Sequence, residues 1–381
     1  MPVSETVPVA GTVPGTAAAA RRGGFNALRV AGVERLCEDA VAVTFDVPPA
    51  LADAYAFRPG QFLTLRRVVG GREERRSYSI CAPAGAAPRI GVREIPSGLF
   101  SSWLVHEVRP GDVIEALPPS GTFVLGADDL KDRRAEDHRG THHVLIAAGS
   151  GITPVLSIAA SALADPSSRV TVLYGNRRSD TVMFADELAD LKDAHPDRFA
   201  LAHVLSQEPR EAELFSGRLD ADRLRLLLPL LVPVRDVGHW WLCGPFGMVT
   251  GARDVLTGLD VPRDRVHQEL FHVDDVPPEP DRRRPAPRGP ASEVTIVLDG
   301  RSTTVTQPRE TTVLDAAQRV RPDLPFACKG GVCGTCRARV VEGGVDMRRN
   351  FALDPAEVAD GYVLTCQSIP STARLTIDYD G

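Results

Sequence analysis

Cys328-Lys329-Gly330-Gly331-Val332-Cys333-Gly334-Thr335-Cys336, completed further on by Cys366, is the stretch whose reading decides the rest of the chain. The spacing C-x4-C-x2-C…C is that of four thiolates holding a 2Fe–2S centre. Three cysteines this close must fold back over one inorganic group. Gly330, Gly331 and Gly334 let the backbone take unusual dihedrals and bring N–H groups toward the sulfurs. Zinc also takes four cysteines, but its sites usually pair C-x2-C with a second C-x2-C or with histidine. Here a lone Cys366 completes the set and no histidine lies between 328 and 381, which favours iron and sulfide. A one-electron centre needs an electron source, and the remaining sequence is read with that in view.

Around the loop, Val294-Thr295-Ile296-Val297-Leu298 and Thr303-Thr304-Val305 predict a hairpin turning at Asp299-Gly300. A helix is expected over Val313–Val320, and further strands at 338–341 and 375–379. A small mixed sheet crossed by one helix is a β-grasp (α+β) layout. Residues 292–381 hold 12 acids and 10 bases, so no strongly acidic docking face is evident. Residues 276–291 read as a linker: positions 277–290 contain six prolines and four arginines, from which no core can be assembled. Extended at ~3.1 Å per residue it would reach roughly 40 Å.

Upstream, at 140–275, the period is that of alternating α and β. Val144-Leu145-Ile146-Ala147-Ala148 is a continuous apolar run, as in a buried parallel strand, and it enters Gly149-Ser150-Gly151-Ile152-Thr153-Pro154 and a helix. Strand, glycine turn and helix present backbone amides to a dinucleotide pyrophosphate. The next strand runs into Gly175-Asn176-Arg177-Arg178, where an acid for the ribose hydroxyl is common; two arginines instead favour a 2′-phosphate and NADPH, with NADH still possible. Trp240-Trp241-Leu242-Cys243 ends in Gly244-Pro245 and opens a further helix. Cys243 thus stands at the end of a parallel strand, where such sheets bind ligands; a buried structural cysteine is the plainer alternative.

From 25 to 128 short alternating runs are broken by Pro59-Gly60, Gly70-Gly71 and Pro110-Gly111, which predicts an antiparallel barrel or sandwich. Within it, Arg76-Ser77-Tyr78-Ser79 has residue types that suit a flavin: a fork for pyrophosphate, a flat apolar face and short hydroxyls. Gly98-Leu99-Phe100-Ser101-Ser102 offers a small-residue helix entry where an anion could sit. Residues 127–141, with Lys131-Asp132-Arg133-Arg134 and His138, read as a charged connector; His138, His142 and His143 could suggest a metal cluster, but a solvated loop is the plainer reading. Residues 1–24 lack a signal-peptide n-region and read as a disordered tail.

Composition sets outer limits. The chain has 381 residues, room for two or three domains, and at 43% hydrophobic and 25% charged is ordinary for a globular protein. A net charge of −6 is too small to point to nucleic acid or a membrane surface, and no run is long enough to span a bilayer. Three cysteines lie outside the cluster set (Cys37, Cys81, Cys243), which does not resemble a disulfide framework; a reducing cytoplasm is expected.

Taken together, FRPGQFLTL (57–65), RRSYSIC (75–81), AAGSGITPVL (147–156), LYGNRRSDTVMF (173–184), LCGP (242–245), LPFACKGGVCGTC (324–336) and DGYVLTCQSIP (360–370) resemble one family. It is that of ferredoxin–NADP reductase-type flavoproteins carrying a C-terminal plant-type ferredoxin domain. Within it the likeness is greatest to the reductase components of bacterial phenylacetyl-CoA epoxidases. The resemblance implies an antiparallel β-barrel FAD domain, an α/β nucleotide-binding domain with a parallel sheet, and a β-grasp 2Fe–2S domain. It implies that Arg76 binds the FAD pyrophosphate, Tyr78 packs on the isoalloxazine and Ser79 sits by its N5, with Ser77 beside them. Gly98, Ser101 and Ser102 would hold FAD phosphates. Gly149, Gly151, Thr153 and Pro154 would shape the NADPH site, with Arg177 at the 2′-phosphate and Cys243 and Gly244 by the nicotinamide. The reacting groups would therefore lie against Tyr78, Ser79 and Cys243. Glu269 and Phe271 match the family's Glu-x-Phe; in plant reductases a terminal aromatic covers the flavin, whereas here the chain runs on. Cys328, Cys333, Cys336 and Cys366 would ligate the cluster.

The expected activity is electron transfer from NADPH through FAD and the cluster to a di-iron oxygenase. Reductase to another oxygenase is the nearest alternative, since such relatives share every cofactor motif. A non-enzymatic redox sensor would show no rapid NADPH turnover with an artificial acceptor, and a zinc-stapled module would be colourless. No general acid–base pair is evident in the sequence.

Overall fold

Each change of hydrophobic period in the sequence corresponds to a separate sheet. The computed structural model describes residues 24–69, 72–96, 98–126, 141–271, 290–321, 324–326, 328–353 and 355–381. All but the last residue of the expected N-terminal tail, nearly all of the charged connector at 127–141, and most of the proline- and arginine-rich linker lie outside these residues. His142 and His143, expected in a solvated loop, are instead buried at the start of a strand that is paired on both sides.

The first sheet joins β1 (Asn26–Cys37), β2 (Ala40–Asp46), β3 (Phe62–Val69), β4 (Arg72–Ser79), β5 (Arg89–Arg93) and β6 (Val113–Ala116) in the order β4-β3-β6-β1-β2-β5. All its ladders are antiparallel. A bridge between Ile80 and Ile90 joins the two edges, so the sheet closes into a barrel, which removes exposed edges. Alternation turns Leu28 and Val30 inward with Val43, Phe45, Leu63 and Leu65. One short helix, α1 (Ser101–His106), follows β5.

The second sheet is wholly parallel: β7 (His142–Ala148), β8 (Arg169–Asn176), β9 (Phe199–Leu205), β10 (His239–Gly244) and β11 (Val266–Leu270), ordered β11-β10-β7-β8-β9. Helices α2 (Ile152–Leu163), α3 (Ala185–Ala194), α4 (Ala221–Leu231) and α5 (Phe246–Gly258) cross between strands and cover both faces. Strand order reverses between β7 and β10, and ligands bind at the carboxyl ends of strands beside such a switch point. The core on the α2 face is continuous with Ala40, Ala42, Cys81, Phe123 and Leu125 of the barrel unit, so the two units share buried apolar surface.

The third sheet contains β12 (Ala291–Leu298), β13 (Arg301–Pro308), β14 (Arg337–Glu342), β16 (Tyr362–Leu364) and β18 (Arg374–Asp378) in the order β13-β12-β18-β14-β16. A two-stranded ribbon of β15 (Val345–Met347) and β17 (Ser368–Pro370) lies beside it. The β12–β13 turn is Asp299-Gly300 with φ of 53° and 66°, the doubly left-handed pair a tight hairpin needs. Helix α6 (Val313–Ala317) is capped by Thr312, whose hydroxyl oxygen accepts from the Asp315 amide at 3.2 Å. A last short helix, α7 (Pro355–Ala359), precedes β16. Among the described residues no helix is long and apolar enough to cross a membrane.

Candidate functional site

The cysteine loop runs between α6 and β14 and is held open by left-handed backbone: Lys329 at φ 53°, Gly331 at 80° and Gly334 at 68°. The Gly330 amide donates to Cys328 Sγ at 3.3 Å. The thiols fall into two hydrogen-bonded pairs, Cys328 with Cys333 and Cys336 with Cys366. The Cys333 hydrogen bond, helped by nearby amides, pulls Cys328 down to about 6, and the same contact drives Cys333 upward. Cys336 is raised first by Cys366 and then by burial. Among the described residues no three His, Cys, Asp or Glu side chains converge on a single-ion position. Two pairs of thiols suit a two-iron cluster better than one tetrahedral zinc. The buried Thr335 hydroxyl lies near the Cys333 thiol with no hydrogen-bond partner of its own, a donor left for a sulfur. Behind the loop, Gln367 Nε2 donates to the Lys329 carbonyl at 2.7 Å, and Thr365 Oγ1 to that of Cys336 at 3.0 Å.

This loop faces a cavity of about 340 Å³ to which all three units contribute. Phe62, Ser120 and Phe123 come from the barrel unit, Gln268, Glu269 and Leu270 from β11, and Val332, Cys333 and Thr335 from the loop. Phe351 of the third unit meets Phe246 edge-on at 5.6 Å between centroids. At the cavity wall Ser79 Oγ, at the end of β4, donates to Glu269 Oε2 at 3.2 Å. Parallel pairing of β10 and β11 sets Cys243 directly opposite Glu269. Burial pushes the Glu269 carboxyl up to about 8, and burial, then the Glu269 charge, pushes the Cys243 thiol well above its ordinary range. An acid and a hydroxyl that the sequence reading does not pair are therefore in contact. No local signal in the sequence pairs them: they are 190 residues apart and meet where the end of β4 reaches β11.

Tyr78 is half-buried, its phenol raised by burial, and its ring lies 6.1 Å from Phe100. That contact brings β4 beside the start of α1. There Ser101 Oγ accepts from the Ile95 amide at 3.0 Å, and a Cβ on Gly98 would come within 2.6 Å of that oxygen. The Ser102 hydroxyl is bonded to Glu94. No side chain caps α1, and the Ser102 amide donates to the Gly98 carbonyl at 3.0 Å. Arg76 is exposed, donating to the Arg75 carbonyl at 2.6 Å and pairing with Glu74 at 3.2 Å; Ser77 Oγ is 3.0 Å from Thr64 Oγ1.

At the switch point Gly149 has φ 56° and its carbonyl accepts from Tyr174 Oη at 2.9 Å. A Cβ on Gly151 would lie 2.1 Å from the Cys243 carbonyl oxygen, so glycine is what lets α2 abut β10. Gly244 is similarly confined by Met248 and Ala148. Thr153 and Pro154 are buried; the Thr153 hydroxyl donates to the Ser150 carbonyl at 3.0 Å, and its methyl packs toward Gly91 of the barrel. Phe271 packs against the core that the barrel and parallel sheet share. Arg177 is not a bare cation: its Nη2 holds Asp39 Oδ2 at 3.0 Å across the boundary between the two units. Arg178 grips Asp180 with both arms, and Glu208 accepts from the amide and hydroxyl of Ser179. Three carboxylates thus surround the two arginines: Asp180 is a sequence neighbour, while Asp39 and Glu208 are brought there by the fold.

Three family models match the chain: an oxidoreductase FAD-binding domain over residues 27–125, an oxidoreductase NAD-binding domain over 145–254, and a 2Fe–2S iron–sulfur cluster binding domain over 296–371. The chain is 40% identical over 359 residues to one of the subunits of 1,2-phenylacetyl-CoA epoxidase from Escherichia coli, covering 93% of this chain and 98% of that one. It is 33% identical to the ferredoxin reductase component of 3-ketosteroid-9-alpha-monooxygenase from Rhodococcus rhodochrous, over 92% of this chain and 96% of the other. Phthalate dioxygenase reductase, described as a modular structure for electron transfer from pyridine nucleotides to [2Fe–2S], shares the fold at a TM-score of 0.57 and 24% identity, covering 93% and 98% of the two chains.

Proposed function

The chain belongs to the family of oxygenase reductase components built from FAD-binding, NAD-binding and 2Fe–2S domains, and we propose that it carries electrons from NADPH to a di-iron oxygenase that epoxidises phenylacetyl-CoA. The observation that carries the relay is the single cavity lined by both Glu269, the partner of Ser79, and the cysteine loop. When bound, FAD takes electrons in pairs from the nicotinamide and the cluster takes them singly, so the cofactors supply the chemistry and the protein supplies position and proton control.

In this reading Arg76 and the first turn of α1, with Gly98, Ser101 and Ser102, hold the FAD phosphates. Tyr78 offers its face to the flavin ring and Ser77 stiffens the strand through Thr64. Ser79 is a short donor whose orientation Glu269 fixes, and Glu269, kept protonated near neutral pH by burial, stores the proton that the pair can supply or retain. Cys243 and Gly244 border the nicotinamide, and Phe271 closes the same side. Gly149, Gly151, Thr153 and Pro154 shape the dinucleotide turn. Arg177 is the reader of the 2′-phosphate: it is half exposed and holds Asp39 by one contact, which a phosphate can displace. Cys328 and Cys333 hold one iron, Cys336 and Cys366 the other.

Phenylacetyl-CoA is favoured over a 3-ketosteroid by the higher identity, 40% against 33%, at similar coverage. The test is reconstituted turnover of phenylacetyl-CoA by the purified epoxidase oxygenase, with and without this chain. Epoxide formed only when both are present supports the assignment. Reduction of an artificial acceptor without epoxide, and with steroid hydroxylation by a ketosteroid oxygenase, would move the chain to the other branch.

A further inference from the structure

Among the described residues Arg75 is the only arginine, lysine, aspartate or glutamate that is buried, at 2% exposure. A guanidinium cannot shed its proton, so burying it is unfavourable unless every face is matched. Its Nε donates to Glu73 Oε1 at 2.5 Å, and Nη2 pairs with the same carboxylate. The remaining arm reaches another unit: Nη1 donates to the Leu324 carbonyl at 2.8 Å, and Cζ lies 4.6 Å from the Phe326 ring centroid. Leu324 and Phe326 belong to the core of the third sheet, four and two residues before Cys328. Arg75 itself stands on β4, next to Arg76 and four residues before Ser79.

One strand therefore carries both the flavin-side residues and the grip on the approach to the cysteine loop. We propose that Arg75 is a positioning residue that seats the 2Fe–2S loop against the flavin strand and so sets the distance between electron donor and acceptor. The inference rests on the relay proposed above. The grip combines a charge-assisted hydrogen bond with a cation–π contact in a desolvated setting, where both are strongest. Because Leu324 and Phe326 are built into the third unit's own core, a shift there moves the whole loop.

The test uses the full-length holoprotein and Arg75→Met, which keeps apolar bulk but loses both contacts. Rapid mixing with NADPH separates flavin bleaching from the later cluster signal. Flavin bleaching should stay within about twofold of wild type, while flavin-to-cluster transfer slows by about tenfold or more. Cluster and flavin potentials should not move, and hydrogen exchange at 324–326 should accelerate. Arg75→Lys, with the charge but not the fork, should recover part of the rate. Phe326→Leu should reproduce a smaller slowing, and the double variant should be no slower than Arg75→Met alone. Wild-type transfer together with wild-type exchange would overturn the proposal. So would a lost flavin or a shifted cluster potential, which would make Arg75 a folding or ligand-site residue. If the wild-type cluster is never reduced after the flavin, the relay fails instead, and the exchange measurement alone still decides whether Arg75 seats the loop.

Discussion

Replacing Glu269 by glutamine keeps the size of the side chain and its acceptor for Ser79 but removes the ionisation. The carboxyl ordinarily titrates at 4.5 and in the fold is pushed up to about 8 by burial. Below about pH 4.5 both folded and unfolded chains hold this proton, and above about 8 neither does. Between those limits only the folded chain holds it, so unfolding releases a proton and stability falls as pH rises. Each pH unit in the window corresponds to ~1.4 kcal/mol, and full burial would give about 5 kcal/mol across it. Because the carboxyl lines a cavity that water can enter, roughly 2–4 kcal/mol is the expected total. Glu269→Gln lacks this slope, so its stability relative to wild type should increase steadily from about pH 4.5 to 8. Tryptophan fluorescence reports it directly, since Trp240 and Trp241, two of the three tryptophans, are buried on the strand that carries Cys243. Parallel stability curves for the two proteins across that window would refute the account of Glu269.

Arg177→Ala should weaken NADPH more than NADH, by ~1.5–3 kcal/mol in relative kcat/KM, the range for a charged hydrogen bond; equal loss for both nucleotides removes it as the phosphate reader. Cys333→Ser should leave flavin reduction by NADPH intact and stop transfer to cytochrome c, and onward transfer that persists would reverse the proposed order of centres. Gly151→Ala forces a methyl group to 2.1 Å from the Cys243 carbonyl oxygen, so melting should show a loss of about 1–3 kcal/mol or more, as for overpacking against backbone. An unaltered melting curve would mean that α2 moves away from β10 freely.

Much of this was legible because it is written locally. The four cysteines announce a cluster through linear spacing, and the hairpin at Asp299-Gly300 follows from residue types that tolerate left-handed backbone. The run from Val144 into Gly149-Ser150-Gly151 likewise predicts strand, turn and helix, which are β7 and α2 with its preceding tight turn. What the sequence could not show is where strands lie beside one another. Ser79 and Glu269 meet only because the barrel docks on the parallel sheet and β11 pairs with β10. Arg177 looked like an open cation, yet the β1–β2 turn supplies Asp39 and the end of β9 brings Glu208 to the adjacent turn. Arg75 sits one place before an arginine with an assigned role, and nothing local distinguishes the two; burial under Leu324 and Phe326 does.

The order of the third sheet also bears on how the protein is made. Its central strand, β18, follows every other strand of the sheet in chain order, yet it separates β12 from β14 and pairs with both. Until the ribosome releases Arg374–Asp378, the earlier strands have a gap at their centre and the scaffold behind Cys336 and Cys366 is incomplete. The barrel and parallel sheet can fold while translation continues. The scaffold for iron and sulfide is instead complete only once β18 has been made, and deleting Arg374–Asp378 would take the centre out of the sheet behind the cysteine loop.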